Sequence, residues 1–80
     1  MKEIIININS IDKAKRFCQL AGESLCDKIT LKSNIYVIDG KSLLGIFSLD
    51  LSKNITCIVS GSENDITSFI EKVKEIDALV

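Results

Sequence analysis

Eighty residues with 46% hydrophobic side chains, 26% charged side chains and no proline describe one compact globular domain spanning 1–80, and this composition excludes a disordered chain. Ten lysines and arginines against eleven aspartates and glutamates leave a net charge of −1. No global field exists to gather nucleic acid or an anionic bilayer, so neither is expected as a partner. The complete absence of histidine removes the usual proton carrier near neutral pH. With no glycine-rich phosphate loop, no Ser-His-Asp set and no paired carboxylates, the residues describe no autonomous enzyme and require no cofactor.

At the N-terminus Ile4, Ile6 and Ile8 alternate with Ile5, Asn7 and Asn9, the period of a strand with one apolar face, which places a first strand over 3–8. Ala14, Phe17, Cys18, Ala21 and Leu25 then recur at three- and four-residue spacings. They mark one stripe of a helix over about 11–26, with Ser10 as N-cap and Asp12 in its first turn. Ile29 and Leu31 alternate with Thr30 and Lys32. After a Ser33-Asn34 turn, Ile35 to Ile38 supplies a second β-branched run that ends at Asp39-Gly40, so a short hairpin is expected.

The stretch from Lys41 to Leu49 is too apolar for a loop and, with its internal Gly45, too short for a long helix; it predicts a two-turn helix beginning at Ser42. Asn54 to Ser60 alternates Ile55, Cys57 and Val59 with Thr56 and Ile58, a fourth strand ended by Gly61-Ser62. Ser62 followed by Asp65 resembles a capping box with a shortened acid. Ile66, Phe69, Ile70 and Val73 form the stripe of a last helix over about 63–77, with Lys72 and Lys74 toward its C-terminal end. The order strand, helix, strand, strand, short helix, strand, helix describes an α+β open-faced sandwich, a four-stranded antiparallel sheet covered on one face by helices.

Uninterrupted apolar runs such as Ile4-Ile5-Ile6 are far short of the ~20 residues that span a bilayer. Lys2 and Glu3 lead straight into the strand pattern without a secretory leader, so a cytoplasmic location is expected. The three cysteines, at 18, 26 and 57, contain no C-x-x-C pair and have no histidine to join them, which argues against a metal site. Cys18 and Cys26 would lie about 12 Å apart along one helix, too far for a disulfide. All three read as small buried hydrophobes.

Two stretches resemble the HPr phosphocarriers of the bacterial phosphoenolpyruvate-dependent sugar phosphotransferase system. Gly40-Lys41-Ser42-Leu43-Leu44-Gly45-Ile46-Phe47-Ser48-Leu49 is similar to the family's Lys-Ser-Ile-Met-Gly-Val-Met-Ser-Leu segment at the same place in the element order. Ser60-Gly61-Ser62-Glu63-Asn64-Asp65-Ile66 is similar to its turn into the last helix. The resemblance covers essentially the whole chain and implies the same βαββαβα fold. It departs at the family's Gly-Ile-His-Ala-Arg-Pro active centre, matched here by Ser10-Ile11-Asp12-Lys13-Ala14-Lys15. Aligning the isoleucines puts Asp12 at the histidine position, and counting back from Ile29 puts Ile11 there; neither side chain can carry a phosphohistidine, and the arginine and proline are missing too.

By the resemblance, Ser42 matches the serine that a bifunctional HPr kinase/phosphorylase modifies in some members. Leu43, Leu44 and Phe47 beside it would form an apolar partner-binding patch, unless Ser42 merely caps the helix and the three fill the core. The implied function is a regulatory, protein-binding module like the family's histidine-lacking paralogue Crh. Implied partners are the HPr kinase/phosphorylase, a transcriptional regulator or a phosphotransferase-system protein, with the chain a monomer or weak homodimer. Two alternatives stand beside it, a sugar-transport phosphocarrier using a non-histidine acceptor such as Asp12, and a purely structural or dimerising domain. Lys13, Lys15 and Arg16 read as a solvated helix face, or as a contact for an acidic partner. Asp12 reads as a carboxylate stabilising the helix N-terminus, or as a fixed stand-in for a phosphorylated histidine.

Overall fold

The computed structural model describes residues 1–80. Its elements are β1 (Lys2–Ile6), α1 (Ile11–Glu23), β2 (Lys28–Ser33), β3 (Tyr36–Asp39), α2 (Leu43–Phe47), β4 (Ile55–Ser60) and α3 (Glu63–Glu75). The four strands form one antiparallel sheet in the order β1-β4-β2-β3. This is the expected α+β open-faced sandwich, and the alternation in the strands produces it directly. Ile4, Ile6, Ile29, Leu31, Ile55, Cys57 and Val59 are buried on one face. Ile5, Thr30, Thr56 and Ile58, one position out of phase, lie on the face left open and are exposed or half-buried.

The helices bring their own stripes to that buried face, Ala14, Phe17 and Ala21 from α1 and Ile66, Phe69 and Val73 from α3. Phe17 and Phe69 meet edge-on, with ring centroids 5.8 Å apart at 74°. Each buried ring contributes about 1.5–3 kcal/mol by leaving water, and an edge-to-face pair roughly 0.5–1.5 kcal/mol more. All the elements but β3 supply side chains to one cluster of 18 buried hydrophobic residues.

Several expected boundaries move, each for a local reason. β1 ends at Ile6 rather than at 8, although Ile8 remains fully buried. α1 ends at Glu23 rather than 26, because Ser24 turns extended and directs both its N–H (3.4 Å) and its hydroxyl (3.1 Å) to the Ala21 carbonyl. Leu25 therefore falls off the stripe and is 79% exposed. Cys26 lies beyond the helix, buried against Gly61, so the helical separation expected for Cys18 and Cys26 does not apply. The reading of three buried cysteines holds for Cys26 and Cys57, whereas Cys18 is only partly covered.

The hairpin turns at Asn34-Ile35 instead of Ser33-Asn34, since Ser33 pairs with Tyr36 and leaves a two-residue loop. Asn34 takes the positive φ of 54° that such a loop asks of its first position. α2 has five residues, not two full turns. α3 ends at Glu75 rather than 77. Asp77 enters the left-handed region at φ 57°, and Ala78 N–H reaches back to the Val73 carbonyl at 3.1 Å, a Schellman-type closure. The chain then runs beside β1, with Ile6 bridged to Leu79 and Val80 N–H donating to the Ile5 carbonyl at 3.0 Å. This return was not anticipated from the sequence, and it buries Ala78. No helix is long and apolar enough to cross a membrane.

Candidate functional site

The residues singled out in the sequence gather at two helix starts. At the first, Ser10 caps α1, its hydroxyl oxygen accepting from Lys13 N–H at 3.1 Å. Asp12 is engaged by Arg16 one turn on, at 3.1 Å, both side chains largely exposed. An exposed pair of this kind contributes little to stability, but it gives the Asp12 carboxylate a local partner. Lys13 does not project freely either, because its Nζ donates to the Asp77 carbonyl at 2.9 Å, closing the C-terminal end of α3. Ile11, the other residue that aligns with the family's histidine, is 66% exposed. Of the basic trio, Lys13 and Arg16 are thus turned toward neighbours of their own chain and Lys15 is left to solvent.

The second site is the entrance to α2, built by a tight run of backbone bonds. Gly40 N–H donates to the Ile29 carbonyl at 2.8 Å, and Ser42 N–H to the Asp39 carbonyl at 3.0 Å. The Asp39 carboxylate accepts from Lys41 N–H at 2.9 Å. Only glycine fits at position 40, where a Cβ would come within 2.6 Å of Ile29 Cγ2. The turn delivers an exposed Ser42 to the N-cap of α2, its Oγ accepting from Gly45 N–H at 3.2 Å. Gly45 itself lies close under that hydroxyl, since a Cβ there would be 3.1 Å from Ser42 Oγ and 3.4 Å from Ile38.

α2 is anchored to the core by Ile46 and, just beyond it, Leu49, both buried. The remaining apolar residues point elsewhere, with Leu44 85% exposed, Phe47 38% exposed and Leu43 half-buried. The core-filling role weighed for these three therefore belongs to Ile46 and Leu49. After the helix, Asp50 receives the Ser52 hydroxyl at 2.6 Å and the Ser52 N–H at 3.1 Å. The hydroxyl first and then the N–H hold its carboxyl below its ordinary range. Midway along α1, Cys18 meets the second site, its thiol 3.4 Å from the Lys41 carbonyl. Burial, and then the charge of Asp39, raise that thiol above its ordinary pKa.

Two surface depressions, of about 170 Å³ beside the end of α1 and about 370 Å³ at the N-terminus, contain none of these residues. The arrangement is suited to recognition rather than to enclosing a substrate. An isolated apolar side chain as exposed as Leu44 needs no explanation; one flanked by a half-exposed aromatic and a free hydroxyl on the same turn forms a recognisable surface.

No family model and no curated protein matches the chain. Among solved structures it is similar to HPr-C-His from Thermoanaerobacter tengcongensis, with a TM-score of 0.73 and 24% identity over 95% of this chain and 94% of that one. The fold is thus HPr-like, an α+β open-faced sandwich. At this identity the likeness concerns the fold.

Proposed function

We propose that the protein is a regulatory, protein-binding module on the HPr fold, acting in the cytoplasm within or beside the phosphotransferase system and unable to carry a phosphoryl group on histidine. The observation that carries the reading is the conjunction at α2 of an exposed N-cap hydroxyl on Ser42 with the exposed Leu44 and Phe47, in a chain without histidine. Leu43, Leu44 and Phe47 form the partner surface and Ser42 is the switch.

An HPr kinase would transfer the γ-phosphoryl group of ATP to Ser42 Oγ, forming the ester bond and releasing ADP, with the hydroxyl proton passing to the kinase's base. The product adds about −1.5 to −2 charge, beside the Gly45 N–H that Ser42 already meets and next to Lys41. Asp39, whose carboxylate faces the same turn, opposes it and tunes the balance. A transcriptional regulator or phosphotransferase-system protein presenting an arginine beside an apolar cleft would read the phosphorylated and unmodified forms differently. Transfer to Asp12, an exposed carboxylate 3.1 Å from Arg16, is the competing reading, which the Enzyme I reaction tests.

The test is incubation with HPr kinase and ATP, and separately with Enzyme I and phosphoenolpyruvate, followed by intact-mass and peptide mass spectrometry. Expected are one phosphate in the kinase reaction, mapped to Ser42 and lost in Ser42→Ala, and none in the Enzyme I reaction. No uptake from the kinase, or equal uptake by Ser42→Ala, removes the switch. Stoichiometric uptake from Enzyme I restores a carrier role.

A further inference from the structure

The two edges of the sheet are treated differently. At β1 the returning C-terminus covers the end of the strand, with Asn7 N–H donating to the Ala78 carbonyl at 2.8 Å and Val80 N–H to the Ile5 carbonyl at 3.0 Å. At β3 only the turn into α2 touches the edge, where Ser42 N–H bonds the Asp39 carbonyl at 3.0 Å, and the strand, Tyr-Val-Ile-Asp, is short but carries no lysine, proline or bulge. Three consecutive large apolar residues stand open there, Ile35 at 89%, Tyr36 at 52% and Val37 at 61% exposure.

The ladder shows which backbone groups face away from β2. Gly40 N–H bonds to the Ile29 carbonyl, and the register pairs Leu31 with Ile38 and Ser33 with Tyr36. Because hydrogen-bonded pairs alternate along an antiparallel ladder, Tyr36, Ile38 and Gly40 face β2, and Val37 and Asp39 turn their N–H and C=O groups outward; of these only the Asp39 carbonyl is already engaged, by Ser42 N–H at 3.0 Å. On the open face of the sheet Lys32 sits across from Val37. The molecule's one ion pair joins Arg16 to Asp12, so neither Lys32 nor Asp39 has an ionic partner within the chain.

We propose that β3 pairs antiparallel with β3 of a second copy about a two-fold axis at Ile38, forming a continuous eight-stranded sheet. Asp39 N–H then donates to the partner's Val37 carbonyl, and Val37 N–H to the partner's Asp39 carbonyl, an acceptor that the turn into α2 already uses once and whose second lone pair takes the new bond. A second copy is the occupant because the charges are self-complementary. Lys32, Val37 and the partner's Asp39 fall in one row on the open face, roughly 10 Å from the first Cα to the last, a span that the lysine and aspartate side chains close over Val37. The axis repeats the contact, so two unpaired lysines meet two unpaired aspartates. On the helix-facing side Ile38 meets the partner's Ile38, and Tyr36 lies over the partner's Gly40. With four residues per edge the contact falls below about 1,000 Å², which makes it a weak dimer.

The test is sedimentation equilibrium together with amide NMR over about 0.05–2 mM. Expected are a concentration-dependent dimer and amide shifts centred on Val37 and Asp39. Val37→Pro removes an N–H used only across the edge, and it should abolish the dimer while leaving the fold intact. Lys32→Glu and Asp39→Lys should each be monomeric, and their equimolar mixture should recover a heterodimer, since both contacts then pair opposite charges. Should Asp39→Lys fail to fold through loss of the Lys41 N–H acceptor, Asp39→Asn keeps that acceptor and should weaken self-association several-fold. A wild type that stays monomeric, a dimer indifferent to Val37→Pro, or a mixture that remains monomeric overturns the proposal.

Discussion

Gly40→Ala isolates the packing that brings Ser42 to its place. Gly40 is buried and its backbone is outside the left-handed region, so an alanine meets no conformational strain and its effect is steric. The added Cβ would lie 2.6 Å from Ile29 Cγ2 and 3.3 Å from both Ile29 Cβ and its carbonyl oxygen. Ile29 is 1% exposed and its Cγ2 is held at a β-branch, so it cannot swing aside as the tip of a flexible chain would. Overpacking of this kind costs about 1–3 kcal/mol. Lower unfolded-chain entropy returns about 0.4–1 kcal/mol, and the balance is a destabilisation of roughly 0.5–2 kcal/mol. In a domain of this size that lowers Tm by roughly 3–15 °C. Gly22→Ala is the internal control, for a Cβ there meets nothing within 4 Å inside α1, and it should stabilise by about 0.5–1 kcal/mol. Urea unfolding of both variants, with amide shifts of residues 42–45 as the local readout, checks the reasoning. A Gly40→Ala protein as stable as wild type would refute the close approach of the turn to β2.

Further outcomes follow from the caps, the core and the buried thiol. Ser62→Ala removes the oxygen that accepts from Asp65 N–H at 3.2 Å and should cost about 1 kcal/mol in urea unfolding. Phe69→Ala empties a buried ring and its edge-on contact with Phe17, costing about 3–5 kcal/mol, enough to threaten folding of so small a domain. Burial, reinforced by Cys26, pushes the Cys57 thiol from 9.0 up to about 12. A folded pKa above the unfolded one means that the native state holds the proton more tightly. Stability from this group is therefore whole below pH 9 and declines by about 1.4 kcal/mol per pH unit toward pH 12, a slope that Cys57→Val should remove from urea curves. Iodoacetamide at mildly alkaline pH should label Cys18 first, and Cys26 and Cys57 only on unfolding.

The architecture was legible because period and burial coincide. The isoleucines of β1, the alternation in β4 and the stripe Ile66, Phe69, Val73 each occupy the face that their spacing assigns. Boundaries were less legible where a side chain competes with the helix. Nothing in the spacing from Cys18 to Leu25 reveals that the Ser24 hydroxyl and N–H will both turn to Ala21. The hairpin shifted by one residue because register depends on pairing with β2, which local composition does not encode. At the site, Ser42 as an N-cap was readable from the glycine, serine and apolar run around it. The division of labour on α2, with Ile46 inward and Leu44 outward, was not, because a helix of five residues is too short for its period to define a face. The C-terminal return along β1 had no local signal beyond the apolar Ala78-Leu79-Val80.

The two helix starts differ in how completely their polar groups are used, and that difference bears on where function resides. At α1 the hydroxyl of Ser10, the carboxylate of Asp12 and the ammonium of Lys13 all end on partners within the chain. A phosphoryl group there would find no imidazole to receive it. At α2 the cap is made by a single neutral contact at 3.2 Å, the hydroxyl remains open to solvent, and apolar surface lies within one turn. Added charge on Ser42 can therefore be accommodated by small adjustments of Lys41 and Asp39, while the Ile46 and Leu49 anchors keep the helix in place. On the proposed reading, the surface that a partner would recognise is therefore held by residues other than those at the start of α1.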